Sequence, residues 1–68
     1  MTKLPERLLV LRQGRNLSMR KLTAEIGIPT NTYSRYENGE REPTASTLVQ
    51  IADFYGVTLD YLVGRSDE

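Results

Sequence analysis

Sixty-eight residues suffice for one small domain, and with no cysteine and no histidine they exclude disulfides, thiolate metal sites and the commonest general base. No apolar run is long enough to cross a bilayer, and the start, Met1-Thr2-Lys3-Leu4-Pro5, lacks the apolar segment of a signal peptide, so a cytoplasmic protein is expected. Nine basic and nine acidic residues cancel, but they are unevenly placed. Between Arg12 and Arg41 stand Arg12, Arg15, Arg20, Lys21, Arg35 and Arg41 against Glu25, Glu37 and Glu40. From Glu42 onward Arg65 alone faces Glu42, Asp53, Asp60, Asp67 and Glu68. The chain is electrically polarised, and distribution rather than sum decides what a charged partner meets.

Pro5 suits the first turn of a helix, and Leu4, Leu8 and Leu11 line one face to about Gln13. Leu9 and Val10 lie off that face. They pack against a later helix, sit singly on the surface, or form a patch for another subunit. Gly14-Arg15-Asn16 breaks the helix, and Asn16 tolerates a left-handed conformation. Ser18 is a good N-cap for a second helix to about Ile26, with Met19, Leu22, Thr23 and Ile26 on one face. Arg20 and Lys21 stand in its first turn, where the helix dipole disfavours cations, which fits either an anion nearby or an ordinary solvated face. Gly27 has the backbone freedom for a short reversal. A third helix then starts near Pro29 or Thr30, with Pro29 in the first helical position or Thr30 as the cap. Tyr33 and Tyr36 make its apolar face, and Thr30, Asn31, Ser34 and Arg35 point elsewhere. It ends at Asn38-Gly39. Two helices joined by a short glycine turn, the second polar on its outer face, form the helix-turn-helix pattern.

Glu40-Arg41-Glu42-Pro43 reads as a polar loop. Thr44 caps a fourth helix with the stripe Leu48, Ile51, Ala52 and Tyr55, stopped by Gly56. Thr58 caps a short fifth helix with Leu59 and Leu62 facing inward, ended by Gly64. The tail Arg65-Ser66-Asp67-Glu68 is expected to fray. The expectation is one all-α domain over residues 1–68, five helices at about 5–13, 18–26, 30–37, 44–55 and 58–63, with no strand.

From about Arg7 to Gly64 the chain resembles the Cro/repressor-type helix-turn-helix family, also called the xenobiotic-response-element family. The matching residues are Leu11-Arg12, Leu17-Ser18, Leu22, Ile26-Gly27, Ser34 to Gly39, Arg41-Glu42-Pro43, Leu48, Ile51-Ala52 and Tyr55 to Gly64. The resemblance implies a compact domain of the phage repressor type whose third helix enters the major groove of DNA. On that footing Thr30, Asn31, Thr32, Ser34 and Arg35 contact bases: Asn31 suits adenine, Arg35 suits guanine and threonine methyls suit thymine. Ser18, Met19, Arg20, Asn38 and Arg41 fall at phosphate-contacting positions, helped by backbone N–H groups at helix N-termini. In the family an Arg in the first helix pairs with the Glu ending the third, which here means Arg12 and Glu37. Three positions depart from the pattern. Met19 stands where Gln usually contacts a phosphate and braces the reading helix. Thr23 stands where a small Ala is usual, and Glu40 where Lys is common.

The leading expectation is a sequence-specific DNA-binding regulator, a repressor, working as a homodimer on a palindromic double-stranded site. Phe54, Tyr61 and Val63, apolar positions beyond the inward stripes, are the candidate dimer contacts. An antitoxin or a restriction-modification controller shares the same fold and DNA chemistry. A protein-interaction module that has lost DNA binding is a different class, suggested by Met19, Glu40 and the zero net charge. No cofactor, metal, membrane or small-molecule ligand is expected. With no His, no Cys and no paired carboxylates in a cleft, no catalytic constellation can be assembled, so the chain is not expected to be an enzyme. The motif at Asp60 to Gly64 is where this domain usually ends, which leaves room for a further C-terminal domain.

Overall fold

The computed structural model describes residues 2–67; Met1 and Glu68, the two ends of the expected domain, lie outside the described residues. Five helices follow one another, with no strand among the described residues: α1 (Leu4–Gly14), α2 (Met19–Ile26), α3 (Thr30–Glu37), α4 (Ala45–Tyr55) and α5 (Leu59–Val63). Five of the ten helix ends lie one residue from the sequence reading: α1 is longer by one at each end, and α2, α4 and α5 start one later because the capping residues Ser18, Thr44 and Thr58 stand just outside the helices they start. Each has extended backbone, and its hydroxyl accepts the N–H three residues on, from Lys21, Thr47 and Tyr61. The start of α3 follows neither alternative read from the sequence. Pro29 itself takes the cap position without a side-chain bond, and Thr30 is the first helical residue.

Each helix sinks its stripe into one core. Leu4, Leu8, Leu22, Tyr33, Tyr36, Ile51, Ala52, Tyr55 and Leu62 are buried, so all five helices contribute. Leu11, Leu17, Met19, Ile26, Leu48 and Phe54 pack against this cluster from its rim. Helix α3 lies against α1 and α2, α1 also meets α5, and α4 meets α2 and α5. A core of nine buried apolar side chains is small, which is expected at this length and makes each one matter.

Two expectations are corrected. Leu59 does not face inward; it is 44% exposed, and Leu62 alone anchors α5 at 0%. A five-residue helix has room for one fully sunk side chain. The tail does not fray as far as Asp67. Gly64 adopts a left-handed conformation (φ 84°), which turns the chain back so that the N–H groups of Arg65 and Ser66 both bond to the Asp60 carbonyl. The Arg7 guanidinium then holds the Ser66 carbonyl (3.2 Å), approaches the Asp67 carboxylate (3.5 Å) and lies 4.1 Å from the centre of the Tyr61 ring.

Candidate nucleic-acid interface

The α2–α3 pair is built from its turn outward. Gly27 sits in the left-handed region (φ 75°), a conformation that costs other residues about 1–2 kcal/mol, and it lets the N–H groups of Gly27 and Ile28 both close on the Thr23 carbonyl. The chain reverses within Gly27-Ile28-Pro29, and α3 begins. Helical periodicity then divides α3 into two faces. Tyr33 and Tyr36 go to the core, with their rings edge-to-face at 6.3 Å. Thr30, Asn31 and Arg35 are exposed, and Thr32 and Ser34 are half-buried beside them. Thr30, Asn31, Ser34 and Arg35 therefore share the outward part of one two-turn helix, with Thr32 at its border. The Asn31 carboxamide oxygen accepts the Thr32 N–H (2.9 Å), which leaves its amino group free of that bond.

The far end of α3 is clamped. Arg12 on α1 donates from Nε to Glu37 Oε2 (2.6 Å) and from a terminal nitrogen to Oε1 (3.1 Å), a two-point fork onto the last residue of α3. The other terminal nitrogen donates to the Leu17 carbonyl (2.9 Å), just before α2. One guanidinium thus joins α1, the start of α2 and the end of α3. The Glu37 side chain is only 4% exposed. Its bond to Arg12 raises the Arg12 pKa, against an opposing pull from burial. The hydroxyls of Tyr33 and Tyr55 lie in the same buried region with no hydrogen-bond partner of ordinary geometry. Burial pushes both phenols above their ordinary value of 10.0, and the nearby Glu37 charge adds to the rise.

The residues assigned to phosphates flank α3 on both sides. Ser18 caps α2, and Arg20 and Lys21 stand exposed in its first turn. Asn38 donates toward Ser34 (3.5 Å) and Glu40 (3.4 Å), and exposed Arg41 follows, its N–H bonded to the Arg35 carbonyl. Met19 differs from the others. Its side chain packs against the core and carries no polar hydrogen, so only its backbone N–H at the start of α2 has a polar group to offer.

Two side chains do what the sequence did not announce. Arg15, counted with the basic half, is committed elsewhere: it donates to the Phe54 and Tyr55 carbonyls (3.3 and 3.0 Å) at the C-terminal end of α4, where the dipole favours a cation. No spacing signal marks that role. Thr23, read from the sequence as a member of the inward face of α2 standing where Ala is usual, is buried and places its hydroxyl 2.8 Å from that of Thr30. The signal was present in the sequence as a departure from Ala. With Arg15 withdrawn and Arg12 neutralised by Glu37, the exposed cations around α3 are Arg20, Lys21, Arg35 and Arg41, opposed by Glu25 and Glu40.

The three residues assigned to a dimer contact are each half-buried in their own subunit. Phe54 stacks edge-on with Tyr55 (5.1 Å), Tyr61 lies under Arg7, and the Val63 carbonyl accepts the Lys3 N–H. The most exposed large apolar side chains are Leu9, Val10, Val49 and Leu59. Among the described residues, no three acidic groups gather closely enough to hold a metal ion, and no helix is long and apolar enough to cross a membrane.

A clamped polar helix set on a glycine turn, between exposed cations, defines a helix-turn-helix protein. The helix-turn-helix family model matches residues 8–62, and the chain belongs to that family. Among its relatives, the cryptic phage CTXphi transcriptional repressor RstR of Vibrio cholerae is 41% identical over 63 residues, covering 93% of this chain and 56% of that protein. The HTH-type transcriptional regulator AnsR of Bacillus subtilis is 36% identical over 63 residues, covering 93% and 54%. A crystal structure of a transcriptional regulator from Listeria innocua superposes on all of this chain, and on 64% of its own, with a TM-score of 0.88 at 25% identity. The chain spans about half the length of the curated relatives it matches.

Proposed function

We propose that this chain is the DNA-binding part of a transcriptional repressor and reads a specific duplex by laying α3 in the major groove. One observation carries the reading: the outward side of α3 presents Thr30, Asn31, Ser34 and Arg35 together, while the Arg12–Glu37 fork fixes the helix from behind. A helix so held can present its side chains to base edges without first paying the entropy of ordering itself. The name of the CTXphi relative supports repression. The same reading assigns phosphate contacts to Ser18, Arg20, Asn38, Arg41 and the backbone N–H of Met19, and it places the work of the protein in the cytoplasm. Thr23 takes over the bracing that Met19 lacks the chemistry to provide.

The working unit is a two-fold dimer. One α3 touches only a few base pairs, too few to choose a site in a genome, and two-fold repetition on a palindrome doubles the reading. The acidic half from Glu42 onward is unsuited to face phosphates and remains for the second subunit, with Phe54, Tyr61 and Val63 and the more exposed Leu59 on that half. The test is selection of bound duplexes from a random pool, followed by titration at low salt. The expected result is one enriched palindromic sequence, with random duplex bound weakly and salt-dependently. No binding to any duplex at low salt would instead assign the fold to a protein-interaction module.

A further inference from the structure

The Thr23 hydroxyl stands within hydrogen-bond distance of three oxygens: the Met19 carbonyl at 2.8 Å, the Arg20 carbonyl at 3.2 Å and the Thr30 hydroxyl at 2.8 Å. A hydroxyl has one hydrogen, and a carbonyl oxygen only accepts. Each oxygen–oxygen contact of 2.8 Å needs a hydrogen between the two atoms. If Thr23 gave its hydrogen to Thr30, its lone pairs would be forced against those of the Met19 carbonyl at the same distance. Thr23 is 3% exposed, so the competing contacts are not relieved by solvent. The arrangement that supplies both contacts has Thr23 donating back to its own helix and Thr30 donating to Thr23. Thr30, exposed at the first position of α3, then has lone pairs but no hydrogen for anything outside the protein.

We propose that Thr23 is a positioning residue that makes Thr30 an acceptor-only contact, so that the base facing Thr30 must offer an amino group. Resting on the proposed reading of DNA by α3, this narrows that contact to cytosine N4 or adenine N6. In the major groove guanine presents only acceptors, N7 and O6, and thymine presents O4 and a methyl group; where the hydroxyl of Thr30 faces the base, either would set lone pairs against its oxygen, and a contact to the thymine methyl is left to a threonine whose methyl faces the base. A threonine free to rotate its hydroxyl has no such preference, because it donates or accepts as the base requires. The specificity therefore lies in a residue that faces the core of the helix pair and not the groove.

The experiment is duplex selection from a random pool by the full chain and by Thr23→Ala, Thr23→Ser and Thr30→Val, each checked for folding by thermal melting. For the unmodified chain, one position per half-site is expected to disfavour guanine and thymine by about tenfold. Thr30→Val should lose that preference at that position alone. Thr23→Ala frees the Thr30 hydrogen and should admit guanine and thymine there to within about twofold of cytosine and adenine, while Thr23→Ser, which keeps the hydroxyl, should restore the discrimination. If Thr23→Ala does not fold, Thr23→Val, of the same shape, makes the same comparison. An unmodified chain that selects a site while Thr23→Ala and Thr23→Val select the same bases overturns the proposal and leaves the reading of DNA by α3 intact. Guanine or thymine preferred at the position that Thr30→Val alters overturns it equally. An unmodified chain that selects no sequence removes the reading itself, and this inference with it.

Discussion

Arg35 is the long side chain on the outward face of α3, exposed and a turn beyond the short ones at its start. A guanidinium there suits the two acceptors of guanine. Arg35→Ala is expected to weaken binding to the selected site by about 1–3 kcal/mol and to relax the preference at one base pair. Affinity measured on the selected and on a scrambled duplex checks this, since equal losses on both would make Arg35 a phosphate contact. Arg12 has a different kind of importance. Removing it leaves the Glu37 carboxylate buried without a partner, and breaking a buried pair from one side typically costs about 3–5 kcal/mol. In a domain this small that is a large part of the total stability. Arg12→Ala should therefore lower the melting temperature and the DNA affinity together. A double-mutant cycle with Glu37→Gln measures the coupling, and additive effects would show that the fork carries none.

At the scale of elements, what matters is how α2 and the loop after α3 frame the reading helix. Arg20 at the start of α2 and Arg41 beyond the end of α3 are exposed, and neither donates to a carboxylate among the described hydrogen bonds and ion pairs. Arg20→Ala and Arg41→Ala are each expected to weaken all duplexes alike and to reduce the slope of log affinity against log salt by about one unit. Titration at several salt concentrations reads this directly; an unchanged slope would place that arginine away from phosphate. Arg15 stands apart from these two. Its guanidinium is held at the C-terminal end of α4, so its charge supports the scaffold rather than the interface.

The whole molecule carries a core whose polar members titrate. Tyr33 and Tyr55 have phenols raised above 10.0 by burial, so near that pH the unfolded chain releases protons that the folded chain keeps. The unfolded state then binds fewer protons, and stability falls as pH rises. It is fully present below about pH 10 and is lost above it. Melting temperatures measured from pH 8 to 12 should turn downward above 10, and Tyr55→Phe should soften that fall. Assembly is the other property of the whole. Sedimentation alone and with the selected duplex is expected to show two subunits on one palindromic site, with a weak dimer in the absence of DNA, since a small apolar patch does little to offset the cost of association. One subunit bound at full affinity to an asymmetric site would remove the dimer. Tyr61→Ala with unchanged cooperativity would move the contact to another surface such as that around Leu59.

The sequence was enough for the five helices, because hydrophobic spacing, the capping hydroxyls of Ser18, Thr44 and Thr58, and glycines at helix ends are all local signals. It also determined that Tyr33 and Tyr36 face one way along α3 and Thr30, Asn31 and Arg35 another, which follows from a period of 3.6 residues. Tertiary structure decided the rest. Whether the tail is held and where the charge of Arg15 goes depend on residues 39 to 60 positions away in sequence, as the bonds from Arg15 to Phe54 and Tyr55 and from Arg7 to the tail show. The Thr23–Thr30 contact crosses only seven residues, yet it too was decided in three dimensions. A sequence marks a threonine where alanine is usual. Only the packing of α2 against α3 brings the two oxygens to 2.8 Å.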